Sequence, residues 1–199
     1  MKWPLILPIV FLYSCSEKNE KDESFAEEFS EGKWIDLTYD FSDKTIYWPT
    51  ANGFKLDTAF NGVTPGGFYY EAYNYCAAEH GGTHLDAPVH FAKGKWTADE
   101  IPLEKLTGEA AVINVSDRAL QNADYLISVS DIESWEKTNG RLPDDIIILF
   151  RTGHGSFYPE AKKYLGTDER GAEAVAKLHF PGIDPAAAEW LVKNRKIKA

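Results

Sequence analysis

The stretch His80-Gly81-Gly82-Thr83-His84-Leu85-Asp86-Ala87-Pro88-Val89-His90 holds three of the five histidines of this 199-residue chain, with an aspartate, two glycines and a proline. Imidazole and carboxylate are the side chains that bind divalent transition metals at neutral pH, so His80, His84 and Asp86 form a candidate nitrogen/oxygen ligand set. His90 is left over for chemistry.

Spacing constrains how these groups can meet. On an α-helix, positions 80, 84, 86 and 90 would point to about 0°, 40°, 240° and 280°, which scatters the carboxylate away from the first two histidines. In extended chain all four face one side, with His84 and Asp86 about 6.6 Å apart. His80 would then lie about 13 Å from His84, so the chain must fold back, and Gly81-Gly82 permits that. Two imidazoles and one carboxylate leave coordination positions open, the pattern of a catalytic site. Water in an open position becomes a nucleophile near neutral pH, with His90 the candidate base. Thr83 and Pro88 read as scaffold, through hydrogen bonding and turn geometry.

Working outward, an apolar content of 44% with 14% aromatics predicts one packed domain. A formal charge of −10 argues against a nucleic-acid partner, which needs a basic face. Residues 1–14 read as a secretory signal: Lys2 precedes an apolar run too short to span a bilayer. Leu12-Tyr13-Ser14-Cys15 resembles the lipobox of bacterial lipoproteins, which would make Cys15 a lipidated N-terminus attached to a membrane. An ordinary cleaved signal and a membrane-retained one are the alternatives. Residues 15–32 are charged and aperiodic, as a tether should be. The expected location is exported: periplasmic, or a cell-envelope lipoprotein. Cys76 is then the one cysteine of the mature domain, which rules out an internal disulfide and predicts a buried small side chain.

From residue 33 to 199 the pattern is α/β. Residues 33–38 alternate as a short strand and residues 45–49 form a second, ended by Pro49. The Gly, Asn and Pro content of residues 53–67 predicts a loop, and the aromatic run 68–75 a strand. Residues 110–115 and 146–150 are unbroken apolar runs, expected to be strands buried on both faces. Between them Ser130 and Glu133 can form a capping box for a helix closed by Asn139-Gly140. Residues 172–178 and 185–194 read as helices, the latter capped by Asp184 with Pro185 in its first turn. Residues 196–199 look like a strand beginning.

The motif His80-x-Gly82-Thr83-His84-x-Asp86-Ala87-Pro88-x-His90-Phe91 resembles the signature of the metal-dependent cyclase superfamily, which includes kynurenine formamidases and isatin hydrolases. Trp48-Pro49, Ile101-Pro102-Leu103, Ala111-Val112-Ile113, Phe150-Arg151-Thr152-Gly153, Phe180-Pro181-Gly182-Ile183 and Ala187-Ala188-Glu189-Trp190-Leu191 resemble its other landmarks in order. The resemblance implies a swivelling β/β/α-type fold, usually dimeric. It also implies hydrolysis of an amide bond in a small cyclic or N-formyl compound, such as an isatin-like lactam or an arylformamide, with Zn²⁺ or Mn²⁺ as cofactor. His80, His84 and Asp86 become the metal ligands and His90 the general acid/base. The spelling Glu79-His80-Gly81-Gly82 is closer to the isatin-hydrolase branch.

Family members typically continue past residue 199 with a further strand, a His and a Glu, so the last strands are expected to be missing here. A metal-binding but inactive relative, or a truncated product with unpaired sheet edges, is the alternative to an enzyme. His179 and Glu189 match the earlier landmarks rather than that later pair. Glu189 is expected to be solvated and His154 to lie at a loop surface. Trp48 and His179 are the candidate substrate-binding residues, with core packing the alternative for Trp48.

Overall fold

The computed structural model describes residues 30–199. The chain divides into two compact units, residues 1–37 and 38–199. In the first, residues 30–37 contain no strand. The alternation at residues 33–38 defines two faces but does not itself supply the neighbouring strand that a ladder needs. The proposed signal, Cys15 and most of the tether lie outside the described residues.

Residues 38–199 carry, in order, β1 (Lys55–Val63), β2 (Tyr69–Cys76), β3 (Ala110–Asn114), α1 (Ser116–Ala119), β4 (Leu126–Ile127), α2 (Val129–Asn139), β5 (Ile147–Arg151), α3 (Ala161–Leu165), β6 (Gly182–Ile183) and α4 (Pro185–Asn194). Most of the expected loop at residues 53–67 is therefore strand. β1 pairs antiparallel with β2, from Lys55↔Cys76 to Val63↔Tyr69, with a bulge between Thr58 and Phe60. Asn61 and Gly62 read as loop residues, but the aromatic partner strand supplies the ladder and the bulge absorbs the irregularity. Within residues 45–49 only an isolated bridge forms, at Tyr47.

The core lies around the parallel pair β3 and β5, in register from Ala110↔Ile147 to Asn114↔Arg151. Along β3 burial alternates: Ala111 and Ile113 are buried, whereas Val112 is 51% exposed. This corrects the expectation of strands buried on both faces, because α2 and α4 cover one side. Ile113, Val115, Ile127, Ile132, Leu142, Ile146 and Leu191 form the buried cluster, with Trp135 and Trp190 packed against it. Each fully buried aliphatic side chain there contributes about 1.5–3 kcal/mol.

Helix α2 begins two residues earlier than Ser130 would place it. Ser128 is its N-cap and Asp131 completes the capping box. The Asp131 carboxylate accepts from the Ser128 N–H and hydroxyl, both at 2.8 Å, from the Tyr125 hydroxyl and from Arg118. Those donors fix the cap at Ser128. Gly140, with φ 89°, closes the helix. Asp184 caps α4 as expected, accepting from the Ala186 N–H at 2.7 Å. Residues 172–177 wind as a 3₁₀ helix rather than an α-helix. Residues 196–199 run beside β5 in the same direction, through hydrogen bonds from Asp145 N–H to Lys196 O, Lys198 N–H to Ile146 O and Ile148 N–H to Ala199 O.

The short pair β4–β6, Leu126↔Gly182 and Ile127↔Ile183, sets Phe180 and Pro181 just before β6, where both line a cavity.

Candidate metal centre

β2 delivers the chain to the histidine stretch, which is seated on residues 39–47. Tyr47 forms an antiparallel bridge with Gly81, and the Gly82 N–H donates to the Ile46 carbonyl at 3.2 Å. Gly82 turns the chain with φ +63°, in the left-handed region that favours glycine. Gly81 serves by size instead: a Cβ there would lie 2.1 Å from two carbons of the Tyr47 ring. The Thr83 hydroxyl accepts from the Tyr39 N–H at 3.0 Å, a scaffold role. Pro88 opens a one-turn 3₁₀ helix, Pro88–His90, that carries His90.

His80, His84 and Asp86 converge, with ligand-type atoms all within 4.8 Å of one another. His80 Nδ1 lies 2.5 Å from Asp86 Oδ1, and His84 Nε2 lies 3.0 Å from the same oxygen. His84 Nδ1 sits 3.0 Å from the Gly82 carbonyl. That carbonyl only accepts, so Nδ1 carries the proton and Nε2 presents a lone pair. A lone pair then faces a carboxylate oxygen at hydrogen-bond distance, an arrangement that a cation or a proton must bridge. The donor set therefore fits a divalent transition metal. Burial alone would raise the Asp86 carboxyl. The hydrogen bond from His80 and the interactions with the neighbouring His80 and His84 side chains outweigh it, holding the group below the ordinary carboxylate range.

The structure brings His90 to the same place: its ring centroid is 3.6 Å from that of His80 and 4.3 Å from that of Phe91. All four groups open into a cavity of about 910 Å³, whose wall includes Tyr39, Tyr47, Trp48, His154, Tyr158 and Phe180. Trp48 is 42% exposed and lies on that wall, edge-on to Phe180 at 6.3 Å. His179 is not part of the cavity lining; its Nδ1 pairs with Asp124 at 2.9 Å. Glu189 is exposed and pairs with Lys193.

Two expectations are corrected. Cys76 is exposed rather than buried, because it ends β2 of a two-stranded hairpin with little packed over it. His154 is buried, at 7% exposure, and lines the cavity instead of a loop surface. The signal for His154 was present: it follows Arg151-Thr152-Gly153 at the carboxyl end of a parallel strand, where α/β folds gather binding groups. Among the described residues, buried polar atoms without a hydrogen-bond partner are Tyr47 Oη, Tyr158 Oη and His154 Nδ1, and all three residues line this cavity. Burial also pushes the Tyr47 and Tyr164 phenols up.

Known proteins share this architecture. Isatin hydrolase A from Ralstonia solanacearum superposes with a TM-score of 0.72 at 28% identity, covering 92% of this chain and 71% of that one. Isatin hydrolase A from Labrenzia aggregata, bound to benzyl benzoate, gives 0.73 at 28% identity, covering 89% and 70%. In sequence, isatin hydrolase from Roseibium aggregatum is 29% identical over 121 residues, 59% of this chain and 44% of that protein. The match thus spans less than half the length of that relative. Kynurenine formamidase from Bacillus mycoides is 23% identical over 174 residues, covering 83% and 77%. The α/β architecture is accordingly that of the cyclase fold. The sequence model of the Cyclase family matches residues 35–199, and this chain belongs to that family.

Proposed function

We propose that this chain binds a divalent metal, Zn²⁺ or Mn²⁺, through His80, His84 and Asp86, and hydrolyses the amide bond of a small cyclic or N-formyl compound. An isatin-like lactam is the first substrate class and an N-formylkynurenine-like arylformamide the second. The observation that carries the reading is the convergence of the three ligand groups within 4.8 Å, beside His90 and at the wall of one aromatic-lined cavity. The activities in the names of the relatives agree with it.

A bound divalent ion would supply Lewis-acid polarisation of the amide carbonyl and a lowered pKa for a coordinated water. The Gly82 carbonyl holds His84 in the tautomer that offers Nε2. Gly81 lets Tyr47 close against the turn that follows His80. In hydrolysis a C–O bond forms at the carbonyl carbon as the C–N bond breaks. The imidazole of His90 takes the proton from water and returns it to the departing nitrogen. Trp48, Phe91 and Phe180 give the cavity flat apolar walls that suit an aromatic ring.

Metal analysis of the purified chain, followed by turnover assays on isatin, N-formylkynurenine and simple lactams, tests the reading. One bound divalent ion with turnover of at least one of these amides is the expected result. Tight metal binding with no turnover would replace it with a metal-binding, inactive relative. We also propose export with lipidation at Cys15, tested by radiolabelled palmitate in cells and its loss in Cys15→Ser. Assembly as a homodimer is a third proposal, tested by light scattering of the eluted protein.

A further inference from the structure

The segment that carries Trp48 is gripped from far along the chain. Trp48 opens a tight turn, with the Ala51 N–H donating to the Trp48 carbonyl at 2.9 Å and Pro49 at the second position. The Arg170 guanidinium spans this turn: one amino group donates to the Tyr47 carbonyl at 3.1 Å and the other to the Ala51 carbonyl. The next residue, Gly171, donates its N–H to the Pro49 carbonyl at 3.0 Å. The carbonyls of Tyr47, Pro49 and Ala51 thus accept from one dipeptide. Among the described residues Arg170 makes no ion pair with a carboxylate, so its fork is committed to backbone. A planar two-pronged donor can hold two carbonyls at fixed separation, which a single ammonium cannot.

Tyr47 on the inner side of this turn packs against Gly81 of the ligand stretch. Trp48 faces the cavity, edge-on to Phe180, which lies ten residues beyond Arg170. We propose that Arg170 is a positioning residue that sets the Trp48 wall, and thereby the preference of the cavity for a ligand carrying a fused aromatic ring. The inference rests on the cavity being the substrate site proposed above. Arg170 is not itself a lining residue of the cavity; it holds the carbonyls of Tyr47 and Ala51 on either side of Trp48 and acts through that turn.

The test uses two stable lactams that differ by one benzene ring, 2-oxindole and 2-pyrrolidinone. Their dissociation constants are measured on the full, metal-loaded chain. Wild type is expected to prefer oxindole. Arg170→Ala and Trp48→Ala should each lower that preference about fivefold, the scale of one aromatic contact. The double variant should lower it no further, because both changes remove the same wall. Metal affinity should stay within about twofold throughout, which a general loss of structure would not allow. Arg170→Lys keeps the charge and stem and serves if the alanine variant is unstable; it should also lose the preference. An unchanged preference in both Arg170 variants overturns the inference. So do multiplying effects in the double variant, metal affinity falling in step, or absence of any preference in wild type. Isatin turnover with an unchanged preference leaves the hydrolase standing and removes the role of Arg170. Collapse of the preference in a chain that hydrolyses no amide does the reverse.

Discussion

Gly81→Ala isolates a single steric contact beneath the proposed ligand turn. The backbone of Gly81 lies outside the left-handed region, so alanine meets no conformational penalty there; the conflict is one of space. The added Cβ would sit 2.1 Å from Cδ1 and Cε1 of Tyr47 and 2.7 Å from its Cζ. Carbon atoms settle at about 3.5–4.0 Å, so one partner must retreat by about 1.4 Å. The Tyr47 ring is only 4% exposed, and its backbone is held by the bridge to Gly81 and by Arg170. The turn is the part free to yield, and His80 moves with it. Overpacking of this kind costs about 2 kcal/mol, which lowers the Tm of a chain this size by about 4–8 °C. Displacing a ligand by about 1 Å should weaken divalent-ion affinity about 100-fold. Thermal melts and calorimetric titration with Mn²⁺ and Zn²⁺ measure both. Gly81→Ala with Tyr47→Ala, which removes the obstructing ring, should recover part of the ion affinity. A Gly81→Ala protein with wild-type Tm and ion affinity would refute the steric argument.

Replacing His90 by Ala should reduce turnover by about 10²–10⁴-fold with ion stoichiometry unchanged, checked by single-turnover kinetics and metal analysis. Asp86→Asn should lose the ion on dialysis while the apo-protein melts close to wild type, and chelation of wild type should abolish turnover reversibly. At Asp131, burial pushes the carboxyl up, but the Ser128 N–H, the Tyr125 and Ser128 hydroxyls and Arg118 together hold it below the ordinary range. A depressed folded pKa means that this stabilisation is present above the unfolded value of about 3.9 and is lost as pH falls through the folded one. Asp131→Asn should therefore cost about 3 kcal/mol near pH 7 and flatten the acid limb of stability against pH, measured by denaturant melts from pH 7 to 3.

The parts of the molecule legible in the sequence were those whose cause is local. The convergence of His80, His84 and Asp86, the glycine turn between them and the Asp184-Pro185 start of α4 are each decided within about a dozen residues. The N-cap of α2 shows where local reading becomes ambiguous. Ser128-x-x-Asp131 and Ser130-x-x-Glu133 are two overlapping frames, and the choice falls to Tyr125 and Arg118, which bind the carboxylate of Asp131 rather than that of Glu133. β1 was hidden because its glycine and asparagine are loop residues until β2 lies beside them. Arg170 was hidden for a stronger reason: its partner in the cavity wall, Tyr47, lies 123 residues away.

That separation bears on the order of events in folding. The histidines are neighbours in sequence, yet their seat is built from Tyr39, tied to Gly155 across 116 residues, and from Tyr47, tied to Arg170 across 123. Closing such long loops is entropically expensive and comes late, so the groups that would grip an ion have no fixed geometry until most of the chain has condensed. Ion binding and the native topology then form a single linked equilibrium, in which an ion at a hundred times its dissociation constant adds about 2.7 kcal/mol. Because that gain arrives after the rate-limiting step, Mn²⁺ or Zn²⁺ should leave the refolding rate unchanged and slow unfolding alone, about 100-fold under those conditions.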